Sequence, residues 1–264
     1  MPTTSAPAPI RGTDAAAPPL VEMRDIELSF GGVRAVDRVS VDLFPGEVVG
    51  LLGHNGAGKS TLIKALSGAC PCDAGEIRID GAPAEIRSPR DARRHHIETI
   101  YQTLALADHL TAAGNLFLGR EILTRLGFVD DAAMRAETRR VMARLAPGFA
   151  GFDVPVRALS GGQRQAIAIA RAVHFDARIL IMDEPTAALG VEETRMVAEL
   201  IRGLKAHGIG IFLISHDIRE VMALCDRVSV MKNGRLVGTV RTADVSEEDL
   251  LGMILLGKPP ARLH

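Results

Sequence analysis

The 264-residue chain contains no tryptophan and one tyrosine, Tyr101, and aromatic residues make up only 3% of it. A surface that stacks successive bases needs aromatic faces, so this scarcity excludes a base-stacking platform. A cationic surplus is missing as well: 31 Lys and Arg face 32 Asp and Glu, a formal charge of -1. Binding to a phosphate backbone normally shows as a basic excess, so nucleic acid is not an expected partner. Three cysteines, Cys70, Cys72 and Cys225, are too few for a disulfide framework and wrongly spaced for zinc, which leaves free thiols. No apolar run approaches the ~18 residues that cross a bilayer. The longest, 179–182 and 209–214, have the length of buried strands. Residues 1–20 are rich in Ala and Pro and lack the basic start and apolar segment of a signal peptide. They read as a disordered tail.

Against these absences stands a hydrophobic content of 47%, enough for a sizeable core. The length suits one α/β core with an embedded subdomain. Residues 21–30 and 38–43 alternate as strands do, with Gly31-Gly32 as a turn between them. Glu47-Val48-Val49-Gly50-Leu51-Leu52 is an almost unbroken apolar strand, as expected where both faces are buried. A helix is expected over 60–69. Residues 104–150 carry short apolar stripes at helical period, including 134–145, and read as a helical insertion. Downstream, helices over 162–173, 192–207 and 218–225 alternate with strands over 178–182 and 209–215. Such alternation predicts a mostly parallel sheet with helices on its faces.

Gly53-His54-Asn55-Gly56-Ala57-Gly58-Lys59-Ser60-Thr61 fits G-x-x-x-x-G-K-[ST]. It falls between an expected strand and an expected helix. There the glycines can turn backbone N–H groups toward a phosphate, and the helix adds its positive end. Lys59 is placed to reach β- and γ-phosphates and Ser60 to complete a Mg²⁺ site. Farther on, Ile179-Leu180-Ile181-Met182-Asp183-Glu184 is a hydrophobic strand ending in two acids. Alone it is equally a pair of helix-capping acids. Beside a phosphate loop, Asp183 suits Mg²⁺ or its waters, and Glu184 suits a base that orients an attacking water. Leu159-Ser160-Gly161-Gly162-Gln163 offers a second anion site at a helix N-terminus, or a plain helix cap.

Together these three motifs resemble the ATP-binding subunit of ABC transporters, over about residues 21–240. The resemblance implies a P-loop NTPase fold: a mostly parallel sheet, an N-terminal antiparallel β part and an inserted α-helical subdomain at about 103–165. Residues 241–264 remain as a short C-terminal extension, too short for the regulatory domain of some sugar-importing relatives. It implies ATP and Mg²⁺ as cofactors, with Glu184, His216 and Lys59 catalytic. Phe30, where the family has an adenine-stacking aromatic, would join residues 53–61 in binding nucleotide; a core Phe is the competing reading. Gln102, in Ile100-Tyr101-Gln102, matches the glutamine joining the catalytic core to the helical subdomain. With Ser60 and Asp183 it forms the implied metal set. Ser160, Gly161, Gly162 and Gln163 would contact the nucleotide of a second subunit in a head-to-tail dimer.

The chain departs from the family pattern once. Where the family commonly reads Ser-Ala-Leu-Asp, it has Ala187-Ala188-Leu189-Gly190, so the aspartate that helps couple the two sites is missing. This stretch, with residues 114–121 and 162–166, resembles the fructose, ribose and xylose type importers. That branch implies a homodimer, a separate transmembrane permease, a periplasmic sugar-binding protein and a peripheral place on the cytoplasmic face of the inner membrane. An importer ATPase for another substrate, such as branched-chain amino acids or lipid, is the alternative.

Overall fold

Strand pairing begins with a long hairpin, β1 (Val21–Phe30) and β2 (Val33–Leu43), followed by β3 (Val48–Leu52), α1 (Lys59–Leu66), β4 (Ala74–Ile79), the two-residue β5 (Ala82–Pro83), α2 (Pro89–Arg94) and β6 (Ile97–Ile100). The middle of the chain holds α3 (Ala112–Leu116), α4 (Asp131–Leu145) and α5 (Gly161–His174). Then come β7 (Ile179–Asp183), α6 (Val191–Ala206), β8 (Gly210–Ile214), α7 (Ile218–Leu224), β9 (Arg227–Lys232), β10 (Arg235–Arg241) and α8 (Glu247–Leu256). The computed structural model describes residues 18–260. Most of the expected N-terminal tail lies outside the described residues. Leu20, at its end, is 1% exposed and donates its N–H to Leu43 O, so the core starts at that residue.

Two sheets result. The first is antiparallel, in the order β2-β1-β4-β5; the second runs β10-β9-β3-β8-β7-β6. All neighbours in the second sheet pair in parallel except β10 with β9. The alternation of side chains along a strand divides the interior in two. Val49, Leu51, Ile179, Ile181, Phe212 and Ile214 face the antiparallel sheet, α1 and α2. Val48, Leu52, Leu180, Met182, Ile211 and Leu213 face α5, α6, α7, α8 and the helical lobe. Covering both faces removes any need for polar residues, which is why β3, β7 and β8 read as unbroken apolar runs. Gly50 is small for a local reason: a Cβ there would lie 2.9 Å from Val221 Cγ1 and 3.0 Å from Cys225 Sγ.

The structure differs from the sequence expectation at sheet edges and in the insertion. β2 starts at Val33, five residues earlier than expected, because Phe30 pairs with Val33 directly across the Gly31-Gly32 turn. In the insertion, a bridge between Leu123 and Val129 closes a small hairpin where only helix was expected. Gly127, at φ +81, sits in its turn, a conformation open to glycine at little cost. Within the stretch after 241, Glu247–Leu256 form α8, whose Leu250 and Met253 are fully buried.

One buried ion cluster ties the start of the parallel sheet to the hairpin. Arg227 at the head of β9 is 2% exposed, and its guanidinium donates to Glu47 Oε1 at 2.6 Å, Glu47 Oε2 at 2.9 Å and Asp42 Oδ1 at 2.7 Å. It also lies over the ring of Phe44. Burial opposes the charge, but Glu47 and Asp42 outweigh it and hold the guanidinium above its ordinary pKa.

Candidate functional site

Four strand ends meet in one row. Leu51 pairs with Ile214, Ile214 with Asp183, and Met182 with Ile100. The segments that follow β3, β8, β7 and β6 therefore emerge side by side at the carboxyl edge of the sheet, where open α/β folds bind ligands. They carry the phosphate-type loop, His216, Asp183 with Glu184, and Gln102.

Between β3 and α1 the loop turns through Gly53, Gly56 and Gly58, all at positive φ. Two of these have no room for a side chain. A Cβ on Gly53 would come 2.3 Å from Met231 O, and one on Gly58 2.6 Å from Ala35 O. Lys59 is buried and curls back to donate to Gly53 O at 2.7 Å and His54 O at 3.1 Å. Burial pushes its ammonium below the ordinary lysine value, against the charges of Glu184 and Asp183. His54, Asn55, Gly56 and Ser60 are exposed, Thr61 is half-buried, and Ala57 is buried. Phe30, at the end of β1, is 48% exposed, so it presents a ring face to solvent and is no core residue.

Glu184 is held in the left-handed region, φ +50, with its N–H donated to Ile214 O. A non-glycine residue there stores backbone strain and points to function. One of its oxygens accepts from Gln102 Nε2 at 3.3 Å, and the other lies 2.8 Å from His216 Nδ1. Asp183 is pushed above the ordinary aspartate value by burial and then by the charge of Glu184, with Lys59 pulling the other way. Lys64 opposes the rise as well as Lys59. Ser60, Gln102 and Asp183 offer hydroxyl, amide and carboxylate oxygens, a donor set that suits a small hard divalent cation. Among the described residues no group of three or more His, Cys, Asp or Glu could hold a metal on its own. A cation at this site would share its ligands with bound phosphates, as Mg²⁺ commonly does.

Ser160, Gly161, Gly162 and Gln163 are brought together elsewhere, at the first turn of α5. The Ser160 hydroxyl accepts from the Gln163 N–H, and Gln163 Oε1 accepts from the Ser160 N–H, a reciprocal cap. Among the described residues no hydrogen bond or ion pair links this turn to residues 53–61. The two motifs stand on separate lobes, and a cleft of about 480 Å³ beside Glu184 runs toward α5, lined by Gln102, Arg164, Gln165 and Leu189 among others.

Sequence reasoning missed several groups that support the site. Glu220 accepts from Thr186 Oγ1 at 2.6 Å and Ser215 Oγ at 2.5 Å, joining the loops after β7 and β8. Glu193 binds the first turns of both α5 and α6. Its one sequence signal is the spacing Gly190-x-x-Glu193, half of a capping box.

A family model described as "ABC transporter" matches residues 36–187. The fructose import ATP-binding protein FrcA of Rhizobium meliloti is 42% identical over 252 residues, which cover 92% of this chain and 96% of that protein. The xylose/arabinose import ATP-binding protein XylG of Sulfolobus acidocaldarius is 42% identical, covering 90% of this chain and 98% of that one. The ribose import ATP-binding protein RbsA 1 of Burkholderia cenocepacia is 48% identical over 90% of this chain, but the match spans only 46% of the longer relative. Among solved structures, an ATP-binding cassette of an ABC transporter in its ADP conformation superposes with a TM-score of 0.77 at 24% identity, covering 90% of this chain and 95% of that one. A component of the cbiONQ ABC transporter complex of Clostridium perfringens gives a TM-score of 0.75 at 25% identity, with 90% and 96% covered. The family match spans more than half of the chain and the relatives nearly all of it: the chain belongs to the ABC transporter family.

Proposed function

We propose that this chain is the ATP-binding and ATP-hydrolysing subunit that energises import of a monosaccharide of the fructose, ribose or xylose class through a separate membrane permease. The observation that carries the catalytic part is Glu184, set between Gln102 and His216 beside Asp183 and Lys59. The printed names of the relatives support the substrate class.

In this reading the N–H groups of residues 53–61 and the Lys59 ammonium hold the triphosphate, and Phe30 receives the adenine ring on its exposed face. Ser60, Gln102 and Asp183 would hold Mg²⁺, which would supply neutralisation of phosphate charge. Glu184 accepts the proton of the attacking water, and the bond to His216 fixes its orientation. Ser160, Gly161, Gly162 and Gln163 complete the site from the facing subunit of a homodimer, because they stand on a different lobe from residues 53–61.

No described helix is long and apolar enough to cross a membrane, so the membrane-spanning part is assigned to a partner. Two features support a docking face on the inserted lobe. A groove of about 290 Å³ near β6 is lined by Arg93, Arg120 and Arg171, with Glu98 among them. Beside it in sequence, the hairpin exposes Leu123, Leu126 and Phe128, at 58%, 84% and 70%. Apolar exposure on this scale marks contact surfaces. With a periplasmic sugar-binding protein delivering substrate, the chain works at the cytoplasmic face of the membrane.

Glu184→Gln is expected to keep ATP binding, nearly abolish turnover and trap an ATP-bound dimer visible by gel filtration. Hydrolysis at the parent rate would overturn the assignment of the base. Co-purification with the permease, followed by transport assays over pentoses and hexoses, tests the substrate class.

A further inference from the structure

Glu193 lies in the first turn of α6, yet its carboxylate serves two helices. Oε1 accepts from the Gly162 N–H of α5 at 3.3 Å, and Oε2 accepts from the Gly190 N–H at the head of α6 at 3.1 Å. The surrounding packing is close. A Cβ on Gly161 would come 2.5 Å from Leu189 Cδ2, and one on Gly162 would come 2.6 Å from Met196 Cε and 3.1 Å from Glu193 Cβ. Residues 189–196 therefore press directly on the opening turn of α5, with the carboxylate bonded to the Gly162 N–H. The Gly190 N–H, then the Ser160 hydroxyl and the Gly162 N–H, hold this carboxyl below the ordinary glutamate value. It is charged at neutral pH.

From Gly190 the chain leads back to the catalytic loop through short internal bonds. The Leu189 N–H donates to Thr186 O, and the Ala187 N–H donates to Glu184 O. Ala188, at φ +61, lies in the left-handed region. Gly190 itself brings no side chain, so the polar link between α5 and this loop passes through the carboxylate of Glu193, beside the apolar packing of Leu189 on Gly161.

Resting on the reading that the Ser160 turn receives a phosphate from a second copy, we propose that Glu193 is a positioning residue that couples occupancy of that turn to the alignment of Glu184. A phosphate at Ser160 and Gly162 meets the Glu193 carboxylate at the same N–H groups. Like charges repel, so the anion loosens the bond to Gly162 and shifts Gly190 together with the loop that carries Glu184. Each ATP then reports on the site opposite.

The test uses the full-length protein with ATP and Mg²⁺, comparing wild type with Glu193→Ala and Glu193→Gln. Steady-state hydrolysis, ATP affinity of the isolated subunit and thermal melting are measured for each. Glu193→Gln keeps the side-chain shape and one of the two acceptors, so its melting temperature is expected to fall less than that of Glu193→Ala, which separates coupling from capping. Both variants are expected to lose at least tenfold in kcat and to bind ATP within twofold of wild type. Their Hill coefficient is expected to fall to about one where wild type exceeds it. Wild-type kcat and cooperativity in Glu193→Gln overturn the proposal, as does a loss in Glu193→Ala that simply follows its melting temperature. A wild-type chain without ATPase activity overturns the functional reading and this inference with it.

Discussion

Single residues here are held by contacts that reach across the chain. Glu184 combines a left-handed backbone with side-chain bonds to Gln102 and His216, at a conformational cost on the order of 1–3 kcal/mol. Arg227 shows the same dependence on distant partners. Its guanidinium, at 2% exposure, is the counter-charge for Asp42 and Glu47. Arg227→Met is expected to cost about 3–5 kcal/mol, because it leaves the Asp42 and Glu47 carboxylates without their counter-charge in a largely dry site. Urea unfolding measures this, and a loss below about 1 kcal/mol would show that the cluster relaxes into water. Lys59, Ser60, Asp183 and Glu184 were legible in the sequence because their chemistry is written in contiguous runs. Arg227 and Glu193 were not, because what they do depends on groups 180 and 31 residues away.

Among the elements, α5 is the one whose first turn the proposed shared site depends on. Its Ser160 cap, the two glycines behind it and the carboxylate of Glu193 keep its first turn both closely packed and rich in N–H groups. Under the proposed shared site, Ser160→Arg places a bulky cation where a facing subunit's phosphate would enter. Hydrolysis is expected to stop while ATP binding by the single subunit is retained, since residues 53–61 are untouched. Equal loss of both, read by nucleotide titration beside a phosphate-release assay, would remove the shared-site argument. The legibility of elements follows their surroundings. β3, β7 and β8 are covered on both faces, and their apolar runs announce it. β6 at one edge spans four residues, β10 at the other mixes polar and apolar positions, and the small hairpin closed by Leu123 and Val129 is held mainly by its turn. None of these needs a pattern strong enough to show in the sequence.

Across the whole molecule, two sheets must stay in register for the row of strand ends to form. One clamp between them is the Asp80–Arg178 pair, which joins the end of β4 to the start of β7 with bonds of 2.7 and 2.9 Å. The Arg178 guanidinium holds the Asp80 carboxyl below its ordinary value. A depressed folded pKa means that the pair contributes fully above the unfolded carboxylate range near ~4. That contribution disappears as pH falls through the lower folded value. Asp80→Asn is therefore expected to be less stable than wild type at pH 7, by below about 1 kcal/mol for so exposed a pair. The gap is expected to narrow from pH 7 to an acid pH below the unfolded carboxylate range. Denaturant melts at the two pH values check the sign, and a gap that widens in acid would contradict it.

The walls behind Gly53 and Gly58 have a thermodynamic consequence at this same scale. Met231 O and Ala35 O stand so close that the loop cannot fall back, and Lys59 already grips Gly53 O and His54 O from the other side. A loop fixed from both sides has little conformational freedom left to surrender when a triphosphate arrives. Nucleotide association should then carry a small ordering entropy, and under the proposed dimer the larger changes of order fall to the joining and parting of subunits.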